Sequence, residues 1–254
     1  MTKQRLDQAL VQREITTSRS QAESWIKLGK VTVDGKIISK SGHFVGPNSD
    51  IKLMAETQYV GRAGLKLESV AKIMGLDFTD KIVLDVGSST GGFTDYSLKN
   101  GAKLVYAVDV GTGQLHQSLL SNDRIELHEK TDIRDVYAIT PEQLLPSGSV
   151  VISDVPNIVL IDVSFISLRD ILPHIAHYLS NSETLIAAMI KPQFEAGKGQ
   201  TNKGIIKNDA MRRQILRDFE DWSRDYFVIV NKRDSDVSGA KGNQERFYLL
   251  KTVK

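Results

Sequence analysis

Asp85-Val86-Gly87-Ser88-Ser89-Thr90-Gly91-Gly92-Phe93-Thr94 is the stretch that decides how this chain is read. It follows a predicted strand at 82–84 and opens a predicted helix. Small residues at such a junction let the backbone approach a ligand closely, and glycine permits the tight turn. A phosphate-binding P-loop needs Lys after the final glycine, where this chain has Phe93. The dinucleotide pattern G-x-G-x-x-G is also missing, because Gly87 is followed by Ser88-Ser89. An acid heading the loop, with another ending the next strand, suits S-adenosylmethionine instead. Asp109 closes the apolar run 104–108, where a carboxylate meets ribose hydroxyls. Asp132, in Lys130-Thr131-Asp132-Ile133, ends another turn at the same sheet edge and is placed to accept from an adenine amine. The expected cofactor contacts are therefore Asp85, Gly87, Ser88, Ser89, Gly91, Gly92, Phe93, Thr94, Asp109 and Asp132. Taken singly, Asp109 and Asp132 also read as acids that merely start loops.

Around this loop the apolar runs 82–84, 104–108, 158–161 and 185–190 alternate with helical segments. Near-continuous apolar strands between helices indicate a parallel sheet covered on both faces. The late runs 227–230 and 247–250 have no clear helix between them, which predicts an antiparallel last strand. An extra β-like run at 149–155 has no evident place in that scheme.

The first fifty residues follow a different grammar. Leu6, Ala9 and Leu10 fall at i, i+3, i+4, and Ala22, Trp25 and Ile26 repeat that spacing. Thr16-Thr17-Ser18 supplies N-cap candidates between the two predicted helices. Asp34-Gly35, flanked by Val31-Thr32-Val33 and Lys36-Ile37-Ile38, predicts a β-hairpin, since glycine tolerates the positive φ of such turns. Residues 51–53 read as a closing strand. Residues 54–60 are polar and patternless and read as a linker, so the expected division is 1–53, 54–60 and 61–254.

Composition excludes several classes of function. The chain has 254 residues and no cysteine, which removes disulfides, thiolate metal sites and cysteine nucleophiles. His43, His116, His128, His174 and His177 form no metal-ligand pattern. Charges at Lys3, Arg5 and Asp7 stand where a signal peptide needs an apolar core, so a cytoplasmic protein is expected. The longest apolar run, 185–190, is far short of the roughly 20 residues that span a bilayer. Residues 1–60 hold nine lysines and arginines against six acids, while the remainder is near neutral. The basic excess sits at the front.

The front segment resembles the S-four RNA-binding domain through Arg5-Leu6-Asp7-Gln8-Ala9-Leu10, Ser18-Arg19-Ser20-Gln21-Ala22 and Gly29-Lys30-Val31-Thr32-Val33-Asp34-Gly35. Such domains present basic side chains to RNA phosphates. The resemblance implies Arg5, Arg13, Arg19, Lys27 and Lys30 as RNA contacts. The rest resembles the FtsJ-like ribose methyltransferases, and nearly the whole chain is similar to the TlyA or hemolysin A family. The blocks that carry this are Gly61-Arg62-Ala63-Gly64-Leu65-Lys66-Leu67, the Asp85 loop, Ile161-Asp162-Val163-Ser164-Phe165-Ile166-Ser167-Leu168, Ile190-Lys191-Pro192-Gln193-Phe194-Glu195 and Lys241-Gly242-Asn243-Gln244-Glu245. What the resemblance implies is a Rossmann-like α/β methyltransferase domain behind a small α+β RNA-binding domain. The implied reaction is methylation of a ribose 2′-hydroxyl, that of cytidine, in ribosomal RNA or ribosomal subunits. It also implies the tetrad Lys66, Asp162, Lys191 and Glu245. One departure is visible: where some members carry a linker tryptophan, this chain has Tyr59.

Those residue types suit the chemistry. A 2′-hydroxyl is a weak nucleophile, and attack on a sulfonium methyl needs oxyanion character. A lysine at a strand end either takes the proton or stays charged and stabilises the oxyanion; Lys191 is expected in that role, with Asp162 and Glu245 orienting the lysines. Asp154 competes with Asp162 for its place. Carbon-5 pyrimidine methylation would need a cysteine, and amino-group methylation brings an Asp/Asn-Pro-Pro-aromatic motif that is absent. Two other classes remain open at this point: a membrane-lytic protein, suggested only by the family's older name, and a catalytically silent RNA-binding assembly factor.

Overall fold

The computed structural model describes residues 3–16, 18–54, 59–138, 145–197, 204–206, 208–237, 239 and 242–253. Thr17, the side chain of Ser20, residues 55–58 of the expected linker and Lys241 lie outside that set.

The front segment runs β1 (Gln4–Arg5), α1 (Leu6–Gln12), α2 (Arg19–Lys27), β2 (Val31–Val33), β3 (Lys36–Ile37), β4 (Phe44–Val45) and β5 (Ile51–Leu53). Leu6, Ala9 and Leu10 of α1 meet Ala22, Trp25 and Ile26 of α2, and all six are buried. Each fully buried Leu or Ile contributes about 1.5–3 kcal/mol over leaving it exposed. The Ser18 side chain accepts from the Gln21 amide and so caps α2. Asp34 and Gly35 both take positive φ, 50° and 78°, and join β2 to β3 with Val33 opposite Lys36. Strand β5 pairs on the other side of β2.

The larger segment continues α3 (Arg62–Met74), β6 (Ile82–Val86), α4 (Gly92–Lys99), β7 (Leu104–Asp109), β8 (Ile125–Glu129), β9 (Val136–Ala138), β10 (Val150–Ile152), β11 (Ile158–Ile161), α5 (Leu172–Tyr178), β12 (Leu185–Ile190), α6 (Pro192–Glu195), α7 (Asp209–Ser223), β13 (Phe227–Asp234) and β14 (Arg246–Thr252). Seven strands form one sheet in the order β13-β14-β12-β11-β6-β7-β8. Pairs from β12 through β8 are parallel, and β14 lies antiparallel between β12 and β13, as expected. The run around 149–155 has a place after all. It forms β10, which pairs in parallel with β9 in a separate two-stranded ribbon.

Two apolar clusters cover the sheet faces, and one of them is continuous with the front segment, joining Leu6 and Trp25 to Tyr59, Leu65, Val83 and Phe93. Tyr59 makes that joint. It is 5% exposed, its carbonyl accepts from Gln21 Nε2 at 2.8 Å, and its ring lies 5.4 Å from that of Tyr96. The next amide, of Val60, donates to Asp95 at 2.9 Å. The polar stretch thus ends in a buried aromatic, which its neighbours' composition concealed.

Candidate active site

Strand order reverses between β6 and β11: the chain runs outward from β6 to β7 and β8, then returns to β11 and β12 on the other side. In open α/β sheets the crevice beyond the carboxyl ends of such strands is where ligands bind. Asp85 sits near the end of β6, opposite Leu160 of β11. Asp162 follows β11 directly, and Lys191 follows β12. A cavity of about 500 Å³ opens there, lined by Lys66, Asp85, Asp162, Lys191 and Glu245 among others. The four tetrad residues, spread over 180 positions of chain, therefore meet in one cleft.

They meet as two ion pairs. Lys191 Nζ lies 2.6 Å from Asp162 Oδ1, and Lys66 Nζ lies 2.6 Å from Glu245 Oε2. Lys191 also donates to Ser164 Oγ at 2.8 Å. The Lys66–Glu245 pair is more deeply enclosed, with side chains 8% and 3% exposed against 11% and 14% for Lys191 and Asp162. Removing one member of a buried pair strands the other charge at a cost of about 3–5 kcal/mol. Lys66 and Glu245 thus brace the cleft, and Lys191 stands more open to whatever enters it.

The glycine loop forms the adjoining wall. Gly87 has φ of 80°, and a Cβ there would lie 3.0 Å from the Asp162 carbonyl oxygen, so a side chain would be strained and tightly crowded. Asp85 is fully buried, accepts from Thr94 Oγ1 at 2.6 Å through one oxygen, and has no partner for the other. Burial, reinforced by Asp162 and Asp109, pushes its carboxyl up to about 7 although the Thr94 hydroxyl opposes this. Ser88 Oγ is likewise buried without a partner. Buried polar atoms left unsatisfied are uncommon in folded proteins, and here they cluster beside an open cavity.

A second cavity, of about 360 Å³, lies across the loop and shares Gly87, Ser89, Asp162, Ser164 and Phe165 with the first. Asp109 and Asp132 both line it. Asp109 accepts from the amides of Ser89 at 2.8 Å and Gly111 at 2.7 Å, so it ties the glycine loop to the end of β7. Asp132 caps the turn that follows it, and both its oxygens are taken up by Arg134. For Asp132, the loop-starting role holds alongside its place in the cavity wall.

Three loop residues expected at the cofactor line neither cavity. Gly91 has φ of 88° and sits against Leu115 and Leu119; Gly92 lets α4 pass close to Ala63 and Gly64 of α3; Thr94 serves Asp85. Asp154 lines neither cavity and accepts from the Tyr106 hydroxyl at 3.4 Å. His174 donates through Nε2 to the Val136 carbonyl and packs on Tyr137 and Tyr178, a packing role. Among the described residues no cluster suits a metal ion.

The cleft also holds residues the sequence reading did not assign: Arg62, Ser164, Phe165, Gln193 and Phe194. Four of them stand two or three positions after Asp162 or Lys191 within the quoted blocks, and that proximity was the available signal. Arg62 lies one helical turn before Lys66 and has no acid partner among the described residues. Phe165 is 91% exposed, takes φ of 67°, and its ring lies 5.2 Å from that of Phe194.

In the front segment the five expected RNA contacts divide by role. Arg13 donates to the carbonyls of Ser49, Gly46 and Pro47 at 2.6, 3.1 and 3.0 Å, so it braces α1 against that loop. Arg5 and Arg19 both bond Asp7, which is completely buried. Burial alone would raise the Asp7 carboxyl, but the two guanidiniums outweigh it and hold it below the usual range. Lys27 and Lys30 are exposed.

A family model described as FtsJ-like methyltransferase matches residues 59–252, and an S4 domain model matches residues 4–51. The chain is 38% identical to Hemolysin A of Brachyspira hyodysenteriae, covering 95% of this chain and 97% of that protein. It is 33% identical to the 16S/23S rRNA (cytidine-2'-O)-methyltransferase TlyA of Mycobacterium tuberculosis, covering 98% of this chain and 90% of that one. A solved structure from Streptococcus thermophilus, named as a hemolysin, matches with a TM-score of 0.70 at 35% identity, over 99% of this chain and 89% of that one. Among the described residues no helix is long and apolar enough to cross a membrane.

Proposed function

The chain belongs to the FtsJ-like methyltransferase family, and from that premise we propose that it is an S-adenosylmethionine-dependent methyltransferase of ribosomal RNA, acting on the 2′-hydroxyl of a cytidine ribose. The observation that carries this reading is the meeting of Lys66, Asp162, Lys191 and Glu245 in a single cleft beside the glycine loop. The base and the RNA are those in the name of the Mycobacterium tuberculosis relative. Residues 1–53 would grip RNA and residues 61–254 carry out the transfer.

The residues present fit the cofactor. Asp85 Oδ1 and Ser88 Oγ, buried and without partners, suit a ligand that brings an ammonium or other donor groups. Asp109 Oδ1 accepts from the Gly111 amide and from Gln114 Nε2, while Oδ2 accepts only the Ser89 amide and retains capacity for a hydroxyl. Asp132 offers the adenine side of the second cavity only an edge, since Arg134 holds it. S-adenosylmethionine, when bound, supplies an electrophilic methyl group on a sulfonium.

The chain's own residues act on the acceptor. Lys191 projects into the cleft from the end of β12, held by Asp162 and Ser164, and would meet the 2′-oxygen there. It would take the proton or stabilise the oxyanion, and Asp162 fixes the direction of its amine. Lys66, sealed against Glu245, keeps a second positive charge in the cleft. Arg62, without an acid partner among the described residues, would be free to hold a phosphate of the RNA strand. The exposed ring of Phe165, against the half-buried ring of Phe194, offers a face for a base taken out of its stack.

The test is methyl transfer from labelled cofactor to purified ribosomal subunits, with the product digested to nucleosides. Label in 2′-O-methylcytidine supports the reading. Label on a base, or no label with either subunit from cells lacking the protein, overturns it.

A further inference from the structure

Asp162 and Lys191 follow adjacent strands; the segment after Asp162 lies in the wall shared by both cavities, and the segment after Lys191 lines the first. The first of these segments has little backbone support. Val163, Ser164, Phe165 and Ile166 take part in no backbone–backbone hydrogen bond among the described residues. Phe165 adds a positive φ, unfavourable for a side-chain-bearing residue, and leaves its ring in solvent. A loop without backbone hydrogen bonds depends on side-chain contacts for its shape, and here Val163 and Ile166 pack against one of the apolar clusters.

The polar hold at its far end is Glu195, at the end of α6. Its carboxylate is 1% exposed, yet it faces no substrate and belongs to neither ion pair of the tetrad. One oxygen accepts from Ser167 Oγ at 2.6 Å and the other from the Leu168 amide at 2.7 Å. Ser167 in turn caps the following turn by accepting from the Arg169 amide at 3.1 Å. Arg169 stands 3.9 Å from the same carboxylate. A buried acid with two short hydrogen bonds to a neighbouring loop is a strap between the two segments. It fastens the far end of that loop three residues after Ser164, which is itself 2.8 Å from Lys191 Nζ.

We propose that Glu195 is a positioning residue: by anchoring Ser167 and Leu168 it fixes the segment 163–166, and so sets both the wall shared by the two cavities and the contact of Ser164 with Lys191. The claim about catalysis rests on the role proposed above for Lys191, whereas the claim about the loop does not.

The experiment compares Glu195→Ala, Glu195→Gln and Ser167→Ala with the unaltered full chain. Hydrogen–deuterium exchange of the ligand-free protein reads the loop directly. Faster exchange confined to the segment around 163–168 in Glu195→Ala is expected, and unchanged exchange there overturns the strap. Steady-state methyl transfer then reads its consequence. Loss of alignment at a reacting centre costs on the order of a hundredfold, so kcat for Glu195→Ala should fall about tenfold to a hundredfold while KM for RNA stays within about threefold. Glu195→Gln keeps an acceptor for the Leu168 amide and should recover most of kcat, which a need for negative charge alone would not allow. The double variant Glu195→Ala/Ser167→Ala should be no worse than Glu195→Ala, because both remove one strap. Should Glu195→Ala fail to fold, Ser167→Ala carries the test: wild-type exchange and wild-type kcat in that variant overturn the proposal. A protein that transfers no methyl at all, yet shows the exchange difference, would refute the methyltransferase reading and leave the strap standing.

Discussion

Gly87 and Asp162 touch backbone to backbone: the side chain that Gly87 lacks would begin 3.0 Å from the Asp162 carbonyl oxygen. The glycine loop and the segment bearing the acid thereby pass each other with little room for a side chain between them. Gly87→Ala would meet that carbonyl and also the cost of a positive φ, about 1–2 kcal/mol for an L-residue. Cofactor affinity should fall at least tenfold in calorimetry with S-adenosylmethionine. Unchanged affinity in a folded variant would remove the loop from the cofactor site.

Lys191→Ala should abolish methyl transfer while leaving RNA and cofactor affinity near normal. General acid–base contributions of about 10²–10⁴-fold set the scale. Lys191→Arg separates the two chemical roles, since a guanidinium does not deprotonate in proteins. Activity as low as that of the alanine variant would mean that the amine takes a proton. Partial activity would mean that it acts as a fixed cation. Single-turnover rates for the pair decide this, and near-normal activity in Lys191→Ala would dismiss the tetrad.

Asp85 makes the protein sensitive to pH near neutrality. Its carboxyl is raised to about 7 in the fold by burial, against about 3.9 in an unfolded chain. In the ligand-free protein its contribution to stability is therefore complete below about pH 4 and is lost as pH rises through about 7. A cationic ligand group prefers the ionised form, so cofactor affinity should strengthen over the same rise. Thermal midpoints and calorimetry from pH 5 to 9 should show these opposite slopes. Asp85→Asn should flatten both, and a slope that survives in that variant belongs to some other group.

The front segment's basic residues should separate under mutation. Arg13→Ala leaves three carbonyls without their donor and should destabilise the protein by about 1–3 kcal/mol, with the salt dependence of RNA affinity unchanged. Lys27→Ala/Lys30→Ala should leave stability alone, weaken RNA binding and make its dependence on salt shallower, because fewer counterions are released. The same slope in both variants would count against an electrostatic grip through the lysines.

Asp7 gives the front segment an acid limit. The guanidiniums of Arg5 and Arg19 hold its carboxyl below the usual range despite burial. That contribution is present above about pH 4 and is lost as pH falls through the depressed folded value. Asp7→Asn should lower stability at neutral pH and make the acid limb of a stability–pH curve shallower. An acid limb identical to that of the unaltered protein would mean another carboxylate sets it.

Local patterns carried most of the architecture. The hairpin at Asp34-Gly35, the helix stripes of α1 and α2 and the apolar strands β11 and β12 are written in neighbouring residues, because turn chemistry and side-chain periodicity act over a few positions. Strand β8 was not legible, since Glu126, His128 and Glu129 interrupt its apolar residues at the sheet edge. The run at 150–152 looked like a strand without a partner, because its pairing with β9 spans a connection that periodicity does not see.

The site divides along the same line. The sequence by itself determined which residue types are present: a glycine loop headed by an acid, two lysines and two more acids in recognisable blocks, and no cysteine. Which lysine faces which acid, and that Ser164 reaches Lys191, depended on the order of strands β6, β11, β12 and β14 in the sheet. So did the finding that Arg13 serves the fold and that Glu195 straps the cleft wall. The physical reason is range. Dihedral preferences and periodic burial are set by adjacent residues, whereas an ion pair between positions 66 and 245 exists only once the core has closed and brought the ends of distant elements within bonding distance.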